Sequence, residues 1–119
     1  MGYWGPGNLD SDYALDELSF RTDKLVRSFL RRARKKVSRE WDEYEHTALL
    51  MDFEYFFALE SRGLLVGQLP EPEAIDTLKA SFLADYDAYC EDQPRPAFRT
   101  VLARNFSRLR RICVKHTQS

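Results

Sequence analysis

The sequence predicts an all-α fold, a single-domain bundle or irregular array of about four helices with an ordered N-terminal arm. Its 119 residues are 44% hydrophobic and 31% charged, with a net charge of −1, a globular composition sized for one apolar core. Apolar residues recur at spacings of three, four and seven along most of the chain, the period of helices that bury one side. One short apolar run departs from this pattern, Leu64-Leu65-Val66, and no other run could pair with it in a sheet. It reads as a packed loop.

The elements follow in order. Gly2, Gly5, Pro6 and Gly7 forbid a regular element over residues 1–9, while Tyr3 and Trp4 are too apolar to stand in water. This arm is expected to be ordered, with Trp4 packed on a helical body spanning 10–116. Asp10 offers a capping side chain, Asp12 adds an acid to the first turn, and a helix is expected to start near residue 11. Leu15, Leu18, Leu25, Val26, Phe29, Leu30, Ala33 and Val37 carry its stripe to about residue 37, and Thr22 is a second possible cap, with a break at 19–21.

A second helix is expected from about Arg39 to Arg62, closed by Gly63. Trp41, Tyr44, Ala48, Met51, Tyr55 and Leu59 form one stripe, and Leu49, Leu50, Phe53, Phe56 and Phe57 widen it, which places this helix in the middle of the domain. Pro70-Glu71-Pro72-Glu73 opens a third helix that buries Ile75, Leu78, Phe82, Tyr86 and Tyr89 up to about Cys90. Gln93-Pro94-Arg95-Pro96 separates it from a fourth, with Phe98, Val101, Leu102, Asn105, Leu109 and Ile112 facing inward and fraying from His116. Short connections imply antiparallel neighbours.

Charge is segregated along this scaffold. Residues 21–40 hold nine Lys or Arg against Asp23 and Glu40, and residues 95–115 hold seven without an acid. Residues 41–60 hold six acids and no Lys or Arg, and residues 71–92 hold seven acids against Lys79. Basic and acidic helices alternate. Laid side by side they form loosely paired solvated faces, or they present complementary potential to a charged partner.

Motifs for bond-making chemistry are sparse. Glu43-x-x-His46 has the spacing of a di-iron ligand pair, but such a site needs a second pair and two further acids, and the only other histidine, His116, has no acid three residues before it. Asp10, Asp12, Asp16 and Glu17 could gather a hard cation, but they lack the Ca²⁺-loop pattern, and helix capping and dipole complementation explain them more cheaply. Cys90 and Cys113 form no Cys-x-x-Cys pair and read as buried reduced thiols. Neither histidine sits in a nucleophile setting. No metal or cofactor is expected, and the chain reads as a non-enzyme. Arg31-Arg32-Ala33-Arg34-Lys35-Lys36 could neutralise phosphates, although a pI of about 6.1 argues against a dedicated nucleic-acid binder. No long apolar run suggests a membrane span and no basic leader precedes an apolar stretch, so a cytoplasmic location is expected.

The opening Gly2-Tyr3-Trp4-Gly5-Pro6-Gly7-Asn8-Leu9-Asp10-Ser11-Asp12-Tyr13-Ala14-Leu15-Asp16 resembles that of a family of small bacterial proteins of unknown function. The family pattern is Gly-x-Trp-Gly-x-Gly-x-Phe-Asp-Asn-Asp-x-Ala-x-Asp, in which Leu9 here replaces Phe, Ser11 replaces Asn, and Glu17-Leu18 stands where a Trp usually follows. The pattern assigns no catalytic residue. The resemblance implies the role of an immunity protein that binds a cognate interbacterial toxin and occludes its active site. An acidic surface including Asp52, Glu54, Glu60, Asp76, Asp85 and Asp87 would cover a basic cleft. The alternatives are a metal-dependent enzyme using the N-terminal acids with His46, and a nucleic-acid accessory protein using Arg31, Arg32, Arg34, Lys35 and Lys36.

Overall fold

The computed structural model describes Gly7 and residues 11–35, 43–89 and 96–117. The architecture is an all-α bundle of helices α1 (Asp12–Arg34), α2 (Glu43–Ser61), α3 (Pro72–Tyr89) and α4 (Pro96–Thr117), and no strand occurs among the described residues. The rest of the N-terminal arm, Trp4 included, lies outside the described residues, as do Val37, Trp41, Cys90 and the expected start of α2 at Arg39.

Ser11, in extended backbone, caps α1: its hydroxyl accepts from the Ala14 N–H at 3.0 Å and satisfies an amide that has no partner within the helix. The cap is therefore the residue after Asp10, which itself falls outside the described residues. No break occurs at 19–21. Thr22, read as a second cap, is instead buried within α1, where its hydroxyl accepts from the Val66 N–H at 3.4 Å. The helix stops at Arg34, short of residue 37, because Lys35 returns to extended backbone.

Cross-helix contacts fix the topology. Lys35 pairs with Glu45, Arg32 with Asp52, and Thr22 meets Val66 just beyond α2, so rising numbers on one helix meet falling numbers on the other. The pair is antiparallel. Helices α3 and α4 are antiparallel for the same reason, through Asp87 with Arg99, Lys79 with Ser107, and Asp76 with Arg110. Between α2 and α4 the numbers rise together, through His46 with Phe98, Phe53 with Phe106, and Glu60 with Lys115, so these neighbours are parallel. Helix α1 packs on α2 and α3, and α4 packs on α3 and α2. The bundle thus consists of two antiparallel hairpins laid side by side, and the connection from α2 to α3 crosses its end diagonally.

That crossing explains the packed loop. Gly63 adopts φ 68, the left-handed turn residue that ends α2, and the Leu64 N–H donates back to the Leu59 carbonyl at 2.8 Å. Leu65 then enters the core. Gly67 lies against α1, where a Cβ would stand 2.8 Å from Ser19 Oγ.

The core is aromatic at its centre. Phe29, Phe53, Phe56 and Phe106 have no exposed surface, and their rings meet mostly edge to face, with Phe29 and Phe53 centroids 5.2 Å apart and Phe53 and Phe106 centroids 5.1 Å apart, the arrangement that the ring quadrupoles favour. Of the two interleaved stripes read on α2, the one through Leu49, Phe53, Phe56 and Phe57 is buried, and Met51 and Tyr55 face water. Helix α2 is therefore one-sided rather than central. Tyr89, Phe98 and Val101, expected inside, are also exposed, while Phe106 and Cys113 fill the inward side of α4.

Candidate docking surface

Most acids read as partner-binding are engaged within the fold. Asp52 is only 5% exposed; it accepts from Arg32 Nη1 at 3.0 Å and from the Ser28 hydroxyl at 3.3 and 3.4 Å. Arg32 also donates to Ser28, which closes a three-residue cluster across the α1–α2 seam. Asp52 consequently belongs to the interior and not to an exposed acidic face. Glu60 accepts from Lys115 Nζ at 2.9 Å and lies 2.7 Å from His116 Nε2, so His116 is held in α4 and not frayed. The Glu60 carboxyl sits below its ordinary range: burial pushes it up, but hydrogen bonds from His116 and Lys115 and their charges outweigh that effect.

On the outer side of the α3–α4 seam, Arg99 grips Asp87 with contacts of 2.7 and 3.1 Å, and Arg110 Nε contacts both Asp76 oxygens at 2.8 and 2.9 Å. Asp85 is half-buried on α3. Alternating basic and acidic helices therefore recognise one another, and such pairs supply register more than stability.

Glu54 is the exception. It is exposed, and among the described residues it enters no ion pair. Its neighbour Tyr55 is 61% exposed and Met51 is 47% exposed. These two stand four positions apart, hence on one side of α2, with exposed Ala58 beside them. Arg108 on α4 lies over the Phe57 ring, its guanidinium carbon 4.1 Å from the centroid, and ties the outward sides of α2 and α4 at their seam.

The His46 ring packs edge-on to Phe98 at 5.1 Å and near Tyr86 at 6.5 Å, and the Glu43 side chain lies outside the described residues. Among the described residues no three His, Cys, Asp or Glu cluster as metal ligands would. Glu17, from the N-terminal acidic group, pairs with Arg21 at 3.0 Å. Cys113 is buried, and burial, followed by the charge of Glu71, pushes its thiol up to about 11. In the basic run, Arg32 turns inward to Asp52 and Lys35 pairs with Glu45 at 3.0 Å, leaving Arg31 and Arg34 exposed. No described helix is long and apolar enough to cross a membrane.

Sequence reasoning missed the Arg32–Ser28–Asp52 cluster and the outward position of Tyr55. A serine at position 28, four residues before Arg32 on a basic helix, was the available signal for the first. Comparison with known protein families, curated protein sequences and solved structures finds no match for the chain.

Proposed function

We propose that the chain is an immunity protein that binds a cognate protein toxin in the bacterial cytoplasm and neutralises it by covering its active site. The observation that carries this reading is the outward side of α2, where Tyr55 and Met51 stand exposed beside Glu54. Aromatic residues of this kind are the usual anchors of protein interfaces, and a neighbouring carboxylate steers a basic partner and selects it. Rigid support beneath comes from Phe53, Phe56 and Phe57, so little ordering cost opposes binding.

The docking surface drawn from this geometry is narrower than the six acids of the sequence reading. Glu54 lies within it, and Asp76, Asp85 and Asp87 lie on the other hairpin. The protein acts here by shape and charge, leaving the bonds of its target intact. Co-expression with the neighbouring gene, the expected source of the toxin, tests the proposal. Protection by the wild type that is lost in Tyr55→Ala supports it; absence of protection, together with no toxin recovered on the purified chain, rejects it.

A further inference from the structure

The outward side of α4 carries a second surface of opposite sign. Thr100, Arg104, Arg108 and Arg111 are all exposed and follow one another at spacings of four, four and three, a single stripe along the helix. They border an open groove of about 580 Å³ that Ser107 and Ala103 also line. Among the described residues, no carboxylate pairs with Arg104, Arg108 or Arg111. The other cations of α4 are all engaged: Arg99 and Arg110 hold Asp87 and Asp76 of α3, and Lys115 holds Glu60 of α2. Arg108 is further oriented by the Phe57 ring beneath it.

We infer that this stripe is a docking site for an acidic helix of a partner protein, whose carboxylates engage Arg104, Arg108 and Arg111. Three features select that occupant. On both of its packed flanks α4 already takes carboxylates presented by a neighbouring helix, one from α2 and two from α3; the same chemistry is left unmatched on the third side. Val101 on α4, three positions before Arg104, is exposed, giving a protein partner an apolar contact that a phosphate backbone would not use. The whole chain carries a net charge of −1 and a pI of about 6.1, without the basic excess of a dedicated nucleic-acid binder. Guanidinium groups suit this role because their planar fork meets a carboxylate through two parallel hydrogen bonds. The inference does not depend on the immunity reading, since it concerns a different helix and a partner of opposite charge.

The test is an NMR titration of the isotope-labelled full chain with a designed helical peptide that carries glutamates at i, i+4 and i+7 beside a leucine seam. Saturable shifts centred on Arg104, Arg108 and Arg111 are expected, with a glutamine version of the peptide binding about tenfold more weakly. The Arg104→Ala/Arg111→Ala variant, with unchanged helicity by circular dichroism, should lose the shifts. Arg104→Glu/Arg111→Glu should instead bind the lysine version of the peptide. Equal binding of the glutamate and glutamine peptides, retention of binding in both variants, or tighter and steeply salt-dependent binding of a thymidine oligonucleotide would each overturn the inference.

Discussion

Arg32 of α1 donates to Asp52 of α2 across a distance of 3.0 Å, and the carboxylate it meets is nearly sealed from solvent. An isolated carboxylate at that depth would be expensive, and the guanidinium and the Ser28 hydroxyl together offset the cost. The cluster also fixes the register of α1 on α2, because a slide of one turn would leave both charges unmatched.

Breaking this pair should be far more harmful than removing it. Arg32→Ala leaves Asp52 buried without its cation and should cost about 3 kcal/mol in urea denaturation. Replacing both, as Arg32→Met with Asp52→Leu, should recover most of that loss. A double-mutant cycle in which the two changes simply add would remove the pair from the account of the seam.

Glu60 should make the junction of α2 and α4 acid-labile. Its folded pKa lies below the ordinary 4.5, so the unfolded chain binds the proton more tightly. Its contribution is therefore complete above pH 4.5 and is lost as pH falls through the lowered folded value. Glu60→Gln should flatten the acid limb of stability against pH, and His116→Ala should move the Glu60 titration seen by NMR back toward 4.5.

Cys113 should resist alkylation in the native state. With its thiol pushed up to about 11 and buried among core residues, almost no thiolate is present at neutral pH. Mass-spectrometric mapping after iodoacetamide should find Cys113 unmodified in buffer and modified in guanidinium chloride. Equal labelling in both would mean that this end of α4 opens readily.

Phe106 meets Phe29, Phe53 and Phe82, linking three other helices to α4. Phe106→Ala should cost about 3 to 5 kcal/mol. At the surface, Tyr55→Ala should change stability by less than about 0.5 kcal/mol.

Much of the fold was legible from apolar spacing. Four helices, the Gly63 terminator and the packed Leu64-Leu65-Val66 segment follow from local chemistry that tertiary contacts did not override. What the spacing left open was which of two stripes on α2 turns inward. Met51 and Tyr55 compete with Phe53 and Phe57 on equal terms in a sequence that is apolar nearly all round, and only packing against α1 and α4 decides between them. The candidate surface was hidden for the same reason. Charge segregation by segment was visible, but whether Asp52, Asp76 and Asp87 meet a partner or their own neighbours depends on helix adjacency. The parallel pairing of α2 with α4 lies in no local pattern.

The most direct measurement is calorimetric titration of the purified chain, wild type and Tyr55→Ala, into an inactivated form of the neighbouring gene's product, the toxin that the proposal requires. Docking through the outward side of α2 requires tight binding by the wild type and a loss of about 2 kcal/mol, roughly thirtyfold, in the variant at unchanged melting temperature. Equal affinities, or no heat of binding from either protein, would contradict it.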